Sequence, residues 1–248
     1  MQTRKLMIGG HYTPQHYQVY DDLKQEQFVD HILHMENLAE EFPILMQQYG
    51  LPVVLPEQSK NSRNATHSSL TMLDLTEESI SMINFFYARD FEMFGYEMLA
   101  TSSKDDEPEQ PIDTLGNALD DVDEHEYVHQ PLEFVHITKT AGSTVESAAA
   151  SVGIKWGACH WKVLPELGSN CTQPDRSFQK KQKHKYYDLT RAREHEQIDP
   201  REPWHTPLYL FKKNPFVQSK LFAVVRNPYD RLLSEYYCRW GGYKGKED

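Results

Sequence analysis

LEFVHITKTAGSTVES, residues Leu132 to Ser147, is the stretch from which the rest of the chain is read. Glu133 to Ile137 is short, apolar and β-branched, the pattern of a buried strand. Thr138 to Ser143 is a tight run of small and polar residues around Lys139 and Gly142. From Thr144 onward, VESAAASV predicts a helix of small residues able to pack close against a sheet. A strand, a lysine-bearing loop and a helix together make a phosphate site: backbone N–H groups and the positive helix end point into the loop, and Lys139 adds a full charge. The GxxxxGK[ST] spacing of a Walker A loop is absent, since the glycine follows the lysine by three positions. The plain alternative is an ordinary strand-to-helix turn with a surface lysine.

A second unit of the same kind lies near the other end of the chain. FAVVRNPYDRLLSEYY, Phe222 to Tyr237, opens with the clearest buried-strand pattern in the sequence, Leu221 to Arg226. Asn227 is placed to cap the next helix, with Pro228 at its first position. Arg226, Asp230 and Ser234 are four apart, so Arg226 and Ser234 flank one pocket at the helix start. A guanidinium fork with a hydroxyl suits a terminal phosphate monoester. The competing reading is a structural ion pair between Arg226 and Asp230.

Both units resemble motifs of sulfotransferases that use 3′-phosphoadenosine-5′-phosphosulfate (PAPS). KTAGST resembles the 5′-phosphosulfate loop, written PKTAGT/S in the Golgi carbohydrate branch, with Thr138 standing where proline is usual. Arg-x7-Ser after a buried strand resembles the 3′-phosphate motif, written RNPYDRLxSxY. The resemblance implies an α/β fold, a three-layer P-loop NTPase-like domain with a central parallel sheet. It also implies PAPS as co-substrate, bound by Lys139, Thr140, Ala141, Gly142, Ser143, Thr144, Arg226 and Ser234, with Lys139 also catalytic. The acceptor implied is a carbohydrate hydroxyl, deprotonated by a histidine. WHTPLYLF sits about twenty residues before Arg226, and heparan-sulfate 2-O-sulfotransferase-like enzymes carry their catalytic histidine in a similar loop, which selects His205; His160, in ACHW, is second. His11 and Gln15 of HYTPQ resemble an HxxPQ element on the substrate side. Glu36 is read as a structural residue fixing a strand-to-helix turn.

The order of the pieces departs from the family. HYTPQ, ILHMENL and YARDFEMFGYE resemble segments that follow the RNPYDRLLSEYY helix in these enzymes, yet here they precede the phosphate loop. The sequence is similar to a circularly permuted sulfotransferase. Residues 1–100 would be the C-terminal half, 101–130 an acidic linker and 131–248 the part with the PAPS motifs, 1–100 and 131–248 forming one domain. Roughly 35 linker residues have a coil reach of about 30–35 Å, comparable with a domain's width. A chain spanning two tandem half-domains is the alternative.

Charge and composition bound what remains. The net charge of −11 is uneven: residues 101–130 hold ten acids against the single Lys104 and so carry −9, leaving about −2 elsewhere. No basic excess points to nucleic acid, and no apolar run approaches the ~18 residues of a membrane span. MQTRKLMIGG is too short in its apolar part for a signal peptide. The resemblance implies a Golgi setting, while the chain itself leaves a soluble or cytoplasmic one open. Cys159, Cys171 and Cys238 make no disulfide framework, though Cys159 and Cys171 could pair. No metal is implied: His125 and His129 lie in the acidic linker, and His11 and His16 share a proline-containing loop with no third ligand in view.

Coarse periodicity fills in the first hundred residues. Val29 to Met35 reads as a strand, Glu36 to Tyr49 as a helix closed by Gly50, and Leu75 to Phe94 as a helical region with Thr76 at its N-cap. Val152 to Trp161 is a further strand candidate, and the basic run in Ser177 to Arg201 reads as a solvated face. A P-loop kinase or hydrolase would share the strand–loop–helix, but LFAVVR ends in arginine where an acidic Mg²⁺ ligand belongs. A non-catalytic binding module is the third reading, disfavoured because Lys139, Arg226, Ser234 and a candidate base are all present.

Overall fold

A computed structural model describes residues 11–21, 26–57, 70–101, 130–154, 156, 216 and 218–238. In chain order these form strands β1 (Tyr20–Asp21), β2 (Glu26–Gln27) and β3 (His31–His34), then helices α1 (Leu38–Gln48), α2 (Glu77–Phe86) and α3 (Ala88–Phe94). Strand β4 (Leu132–Val135), helix α4 (Gly142–Ser151), strand β5 (Lys220–Val225) and helix α5 (Pro228–Tyr236) complete the set.

The main sheet runs β3-β5-β4, and both pairings are parallel. His31 to His34 sit beside Phe222 to Val225, and Leu132 to Val135 beside Lys220 to Ala223. All three strands therefore end at one edge, where open parallel sheets bind their ligands. β5 is buried along its length after Lys220, as a central parallel strand must be. Its alternate side chains serve two cores. Phe222 and Val224 pack with Leu33 of β3, Phe42 of α1 and Val145 and Ala149 of α4. Leu221, Ala223 and Val225 face the other way, onto Val19, Val29 and Phe94 of α3. A third cluster joins Ile80, Ile83 and Phe91 to Tyr229 of α5. Each of the three clusters draws on residues from both sides of the acidic segment.

Several boundaries differ from the sequence reading, for local reasons. The helix expected from Glu36 opens as a 3-10 turn, Met35–Asn37, and becomes α-helical only at Leu38. The single helical region expected over Leu75 to Phe94 is two helices. Thr76 does cap α2, its side chain accepting from the Ser79 N–H, but Tyr87 leaves helical geometry and its hydroxyl donates to the Tyr12 carbonyl. The stretch read as a loop at HYTPQ contains a 3-10 helix, Gln15–Gln18. No strand begins at Val152: Gly153, at φ 81, ends α4, and Ile154 N–H closes back onto the Ala149 carbonyl. The expected linker, apart from its end residues Thr101 and Gln130, and the basic run of Ser177 to Arg201 lie outside the described residues.

Candidate active site

The loop between β4 and α4 is the turn where the sequence placed a phosphate. Lys139 and Ala141 both take left-handed backbone, at φ 65 and 67, although neither is glycine. Such residues cost on the order of 1–3 kcal/mol each and persist where surrounding contacts hold them. Left-handed residues either side of Thr140 turn successive N–H groups toward one side, which makes a concave seat for an anion. Among the described residues, none accepts a hydrogen bond from the N–H of Thr140, Ala141, Gly142 or Ser143. Thr144 differs from the expectation here: its N–H is spent on the Ala141 carbonyl at 2.8 Å. Four loop amides, the N-terminus of α4 and the half-buried Lys139 are thus the donor set.

What holds this shape is a set of contacts from distant segments. Thr140 Oγ1 donates to the Ile137 carbonyl at 2.9 Å. Arg231, on α5 and 1 % exposed, donates from Nε to the Thr138 carbonyl and from Nη2 to Thr138 Oγ1 and the His11 carbonyl. Arg226 Nη1 reaches the Lys139 carbonyl at 3.3 Å. The two arginines of RNPYDR therefore divide the work, Arg231 buried under the loop and Arg226 at its rim.

Beneath Gly142 lies His136, whose Nδ1 is 2.6 Å from Oε1 of the fully buried Glu146. A Cβ on Gly142 would stand 2.5 Å from Cε1 of that ring. Here the glycine is required by close approach of a side chain, not by its own dihedrals. Gly142→Ala should drive its Cβ into the His136 ring and force that ring or the loop to shift, costing roughly 1–3 kcal/mol in stability by denaturant unfolding. A double variant that also carries His136→Ala should recover part of that loss, because the clash is gone.

Arg226 is set from three sides. Gln15, 0 % exposed, accepts from the Arg226 N–H at 2.9 Å and donates from Nε2 to the Arg226 carbonyl at 2.7 Å. Both amide atoms of Gln15 thus clamp the Arg226 backbone. Asp90 fixes the clamp in turn, accepting from the N–H groups of Gln15 and His16 and pairing with His16 Nδ1 at 2.7 Å. Glu36 spans the third side, accepting from the Asn227 N–H and the Tyr96 hydroxyl, both at 2.8 Å. It ties the end of β3 to the start of α5, while the turn after β3 is held by Glu41, which accepts from the His34 N–H. Burial depresses the Arg226 pKa, and Asp230 and Glu36 oppose that shift; the guanidinium stays charged at any working pH. Asn227 caps α5 as expected, its Oδ1 accepting from Tyr229 N–H, with Pro228 at the first helical position. Ser234 lies half-buried two turns along α5 from Arg226.

The fold thus brings Lys139, Arg226 and the HYTPQ segment together. His160 and His205 lie outside the described residues. Sequence reasoning missed Asp90, Arg231, Glu146 and the long reach of Glu36, because their partners are far away in the chain.

Residues 128–244 match the family model described as "Sulfotransferase family". The match takes in both phosphate units, with Lys139, Arg226 and Ser234 inside it. No curated protein and no solved structure gives a match.

Proposed function

We propose that the protein is a PAPS-dependent sulfotransferase that moves the sulfuryl group to a hydroxyl, with a carbohydrate as the acceptor class. The single observation that carries this reading is the convergence of Lys139 and Arg226 at the carboxyl ends of adjacent parallel strands, inside the segment that matches the family. The donor set fits the two ends of such a nucleotide. Four loop amides and Lys139 suit the 5′-phosphosulfate, and Arg226 with Ser234 suits the 3′-phosphate. In the reaction the acceptor oxygen bonds to sulfur, the sulfur–oxygen bond to the 5′-phosphate breaks, and the acceptor proton passes to a base. Lys139 and the loop amides neutralise charge growing on the departing phosphate oxygen. His205 is proposed as the base.

Circular permutation is part of the proposal. It is supported by β3, from the first hundred residues, lying in the same sheet as β4 and β5, and by core clusters that mix both segments. No helix among the described residues is long and apolar enough to cross a membrane, and a Golgi location remains a proposal drawn from the resemblance.

The test is direct: measure affinity for PAPS and for ATP, with and without Mg²⁺, and follow sulfuryl transfer to a panel of glycans. Preference for PAPS without Mg²⁺, and its turnover, support the reading; Mg²⁺-dependent preference for ATP sinks it in favour of a kinase or hydrolase. Arg226→Ala should lower the preference for nucleotides bearing a 3′-phosphate by about 10- to 100-fold, the worth of hydrogen bonds to a charged group. Isothermal titration with the paired nucleotides reads this out.

A further inference from the structure

His11, Glu235 and Cys238 come together at the far end of α5, although His11 is 224 positions from Glu235. One ligand-type atom from each, an imidazole nitrogen, a carboxylate oxygen and the Cys238 sulfur, lies within 4.8 Å of the others. His11 Nδ1 and Glu235 Oε2 are 2.9 Å apart, near the roughly 3.3 Å that separates two ligands on one tetrahedral zinc with bonds of about 2.0–2.1 Å. Cys238 lies just past the end of α5, where its N–H turns back onto the Glu235 carbonyl at 2.8 Å and keeps the two residues together.

Two further observations point to a cation here. Glu235 is 0 % exposed, and its Oε1 has no hydrogen-bond partner among the described residues. A buried carboxylate oxygen left bare is costly, and the neighbouring positive group does not serve it. Arg231, one turn earlier, directs Nε and Nη2 to Thr138 and the His11 carbonyl, and its buried Nη1 has no partner among the described residues either. Cys238 is buried and in no disulfide.

We propose that His11, Glu235 and Cys238 bind a zinc ion that clasps the HYTPQ segment to the end of α5. Thiolate, imidazole and carboxylate together suit zinc and disfavour Mg²⁺ or Ca²⁺, which take oxygen ligands. Three protein ligands leave a fourth tetrahedral position open. The clasp bears on the phosphate loop through the backbone: the carbonyl of His11 accepts from Arg231 and from Thr138 Oγ1, immediately before Lys139. Its role is structural, and it stands whether or not the protein transfers sulfuryl groups. No single stretch of sequence shows it, since the HYTPQ loop supplies one ligand and the other two come from Glu235 and Cys238, more than 220 positions away.

The experiment uses the full chain, stripped of metal and titrated with Zn²⁺ and with Co²⁺. We expect one Zn²⁺ per chain retained against a competing chelator, a thiolate-to-cobalt charge-transfer band on Co²⁺ addition, and a higher Tm with zinc. Cys238→Ser should lose the cobalt band and weaken zinc binding by at least about 100-fold, and Glu235→Gln should behave likewise. Circular dichroism of the metal-free variants separates lost ligands from lost fold. If a variant fails to fold, the wild-type cobalt spectrum decides alone. A folded wild-type chain that binds no zinc, gives no thiolate band, or holds zinc as tightly after Cys238→Ser overturns the proposal.

Discussion

Replacing Lys139 with alanine should lower turnover by roughly 10²- to 10³-fold while nucleotide affinity changes by less than about tenfold. The asymmetry follows from what the side chain does and what it does not hold. The loop is shaped by main-chain contacts: Arg226 on the Lys139 carbonyl, Arg231 on the Thr138 carbonyl and Thr140 Oγ1 on the Ile137 carbonyl. None uses the Lys139 side chain, so its removal leaves the cradle of amides standing. Ground-state phosphate is then still bound by those amides, the end of α4 and Arg226. Only the extra charge at the breaking bond is lost, and that charge matters most in the transition state. Single-turnover rates with matched binding titrations read the two effects apart. A loss of affinity at an unchanged single-turnover rate would mean that Lys139 serves binding alone, and no loss in either would reduce the loop to an ordinary strand-to-helix turn.

Much of this architecture was legible because it is local. The strand–loop–helix at Leu132 to Ser151 and the Asn227-Pro228 helix start are written in adjacent residues, and the observed elements fall within one or two positions of the reading. The parallel sheet was also accessible, since two unbroken apolar strands each led into a helix. The supports of the site were not. Arg231 and Glu146 sit within helices, where charged residues ordinarily read as a solvated face, yet they are 1 % and 0 % exposed. Asp90 meets Gln15 across 75 positions, and Glu36 meets Asn227 across 191. Nothing in the spacing around either acid announces such a partner. The break at Tyr87 was equally hidden, having neither glycine nor proline; it starts α3, the helix on which the buried Asp90 holds the turn at Gln15 and His16. Gln15 likewise meets Arg226 across 211 positions, a contact that the spacing of HYTPQ does not announce.

The largest single loss is expected for His205→Ala, a fall in turnover of roughly two to four orders of magnitude with PAPS affinity nearly intact. The chain has twelve histidines, and the described ones are each tied to another task. His11 faces Glu235, and His16 is buried against Asp90. His31 bonds the Tyr49 hydroxyl at the start of β3, at the edge of the sheet away from the loop. His34 has its two nitrogens on Glu41 and the Phe94 carbonyl. His136 is nearest the phosphate loop, but its ring is wedged under Gly142 and paired with buried Glu146, which fits a support for the loop better than a group that exchanges protons with an acceptor. The base proposed is His205 ahead of His160, as the resemblance implies. The comparison that decides is His205→Ala against His160→Ala and His136→Ala, each with PAPS binding measured beside turnover. His160→Ala should cost far less than His205→Ala. His136→Ala should act through stability, lowering Tm along with activity. A full loss in His160→Ala with His205→Ala near wild type would reverse the assignment, and a loss confined to His136→Ala at unchanged Tm would move the base into the phosphate loop itself.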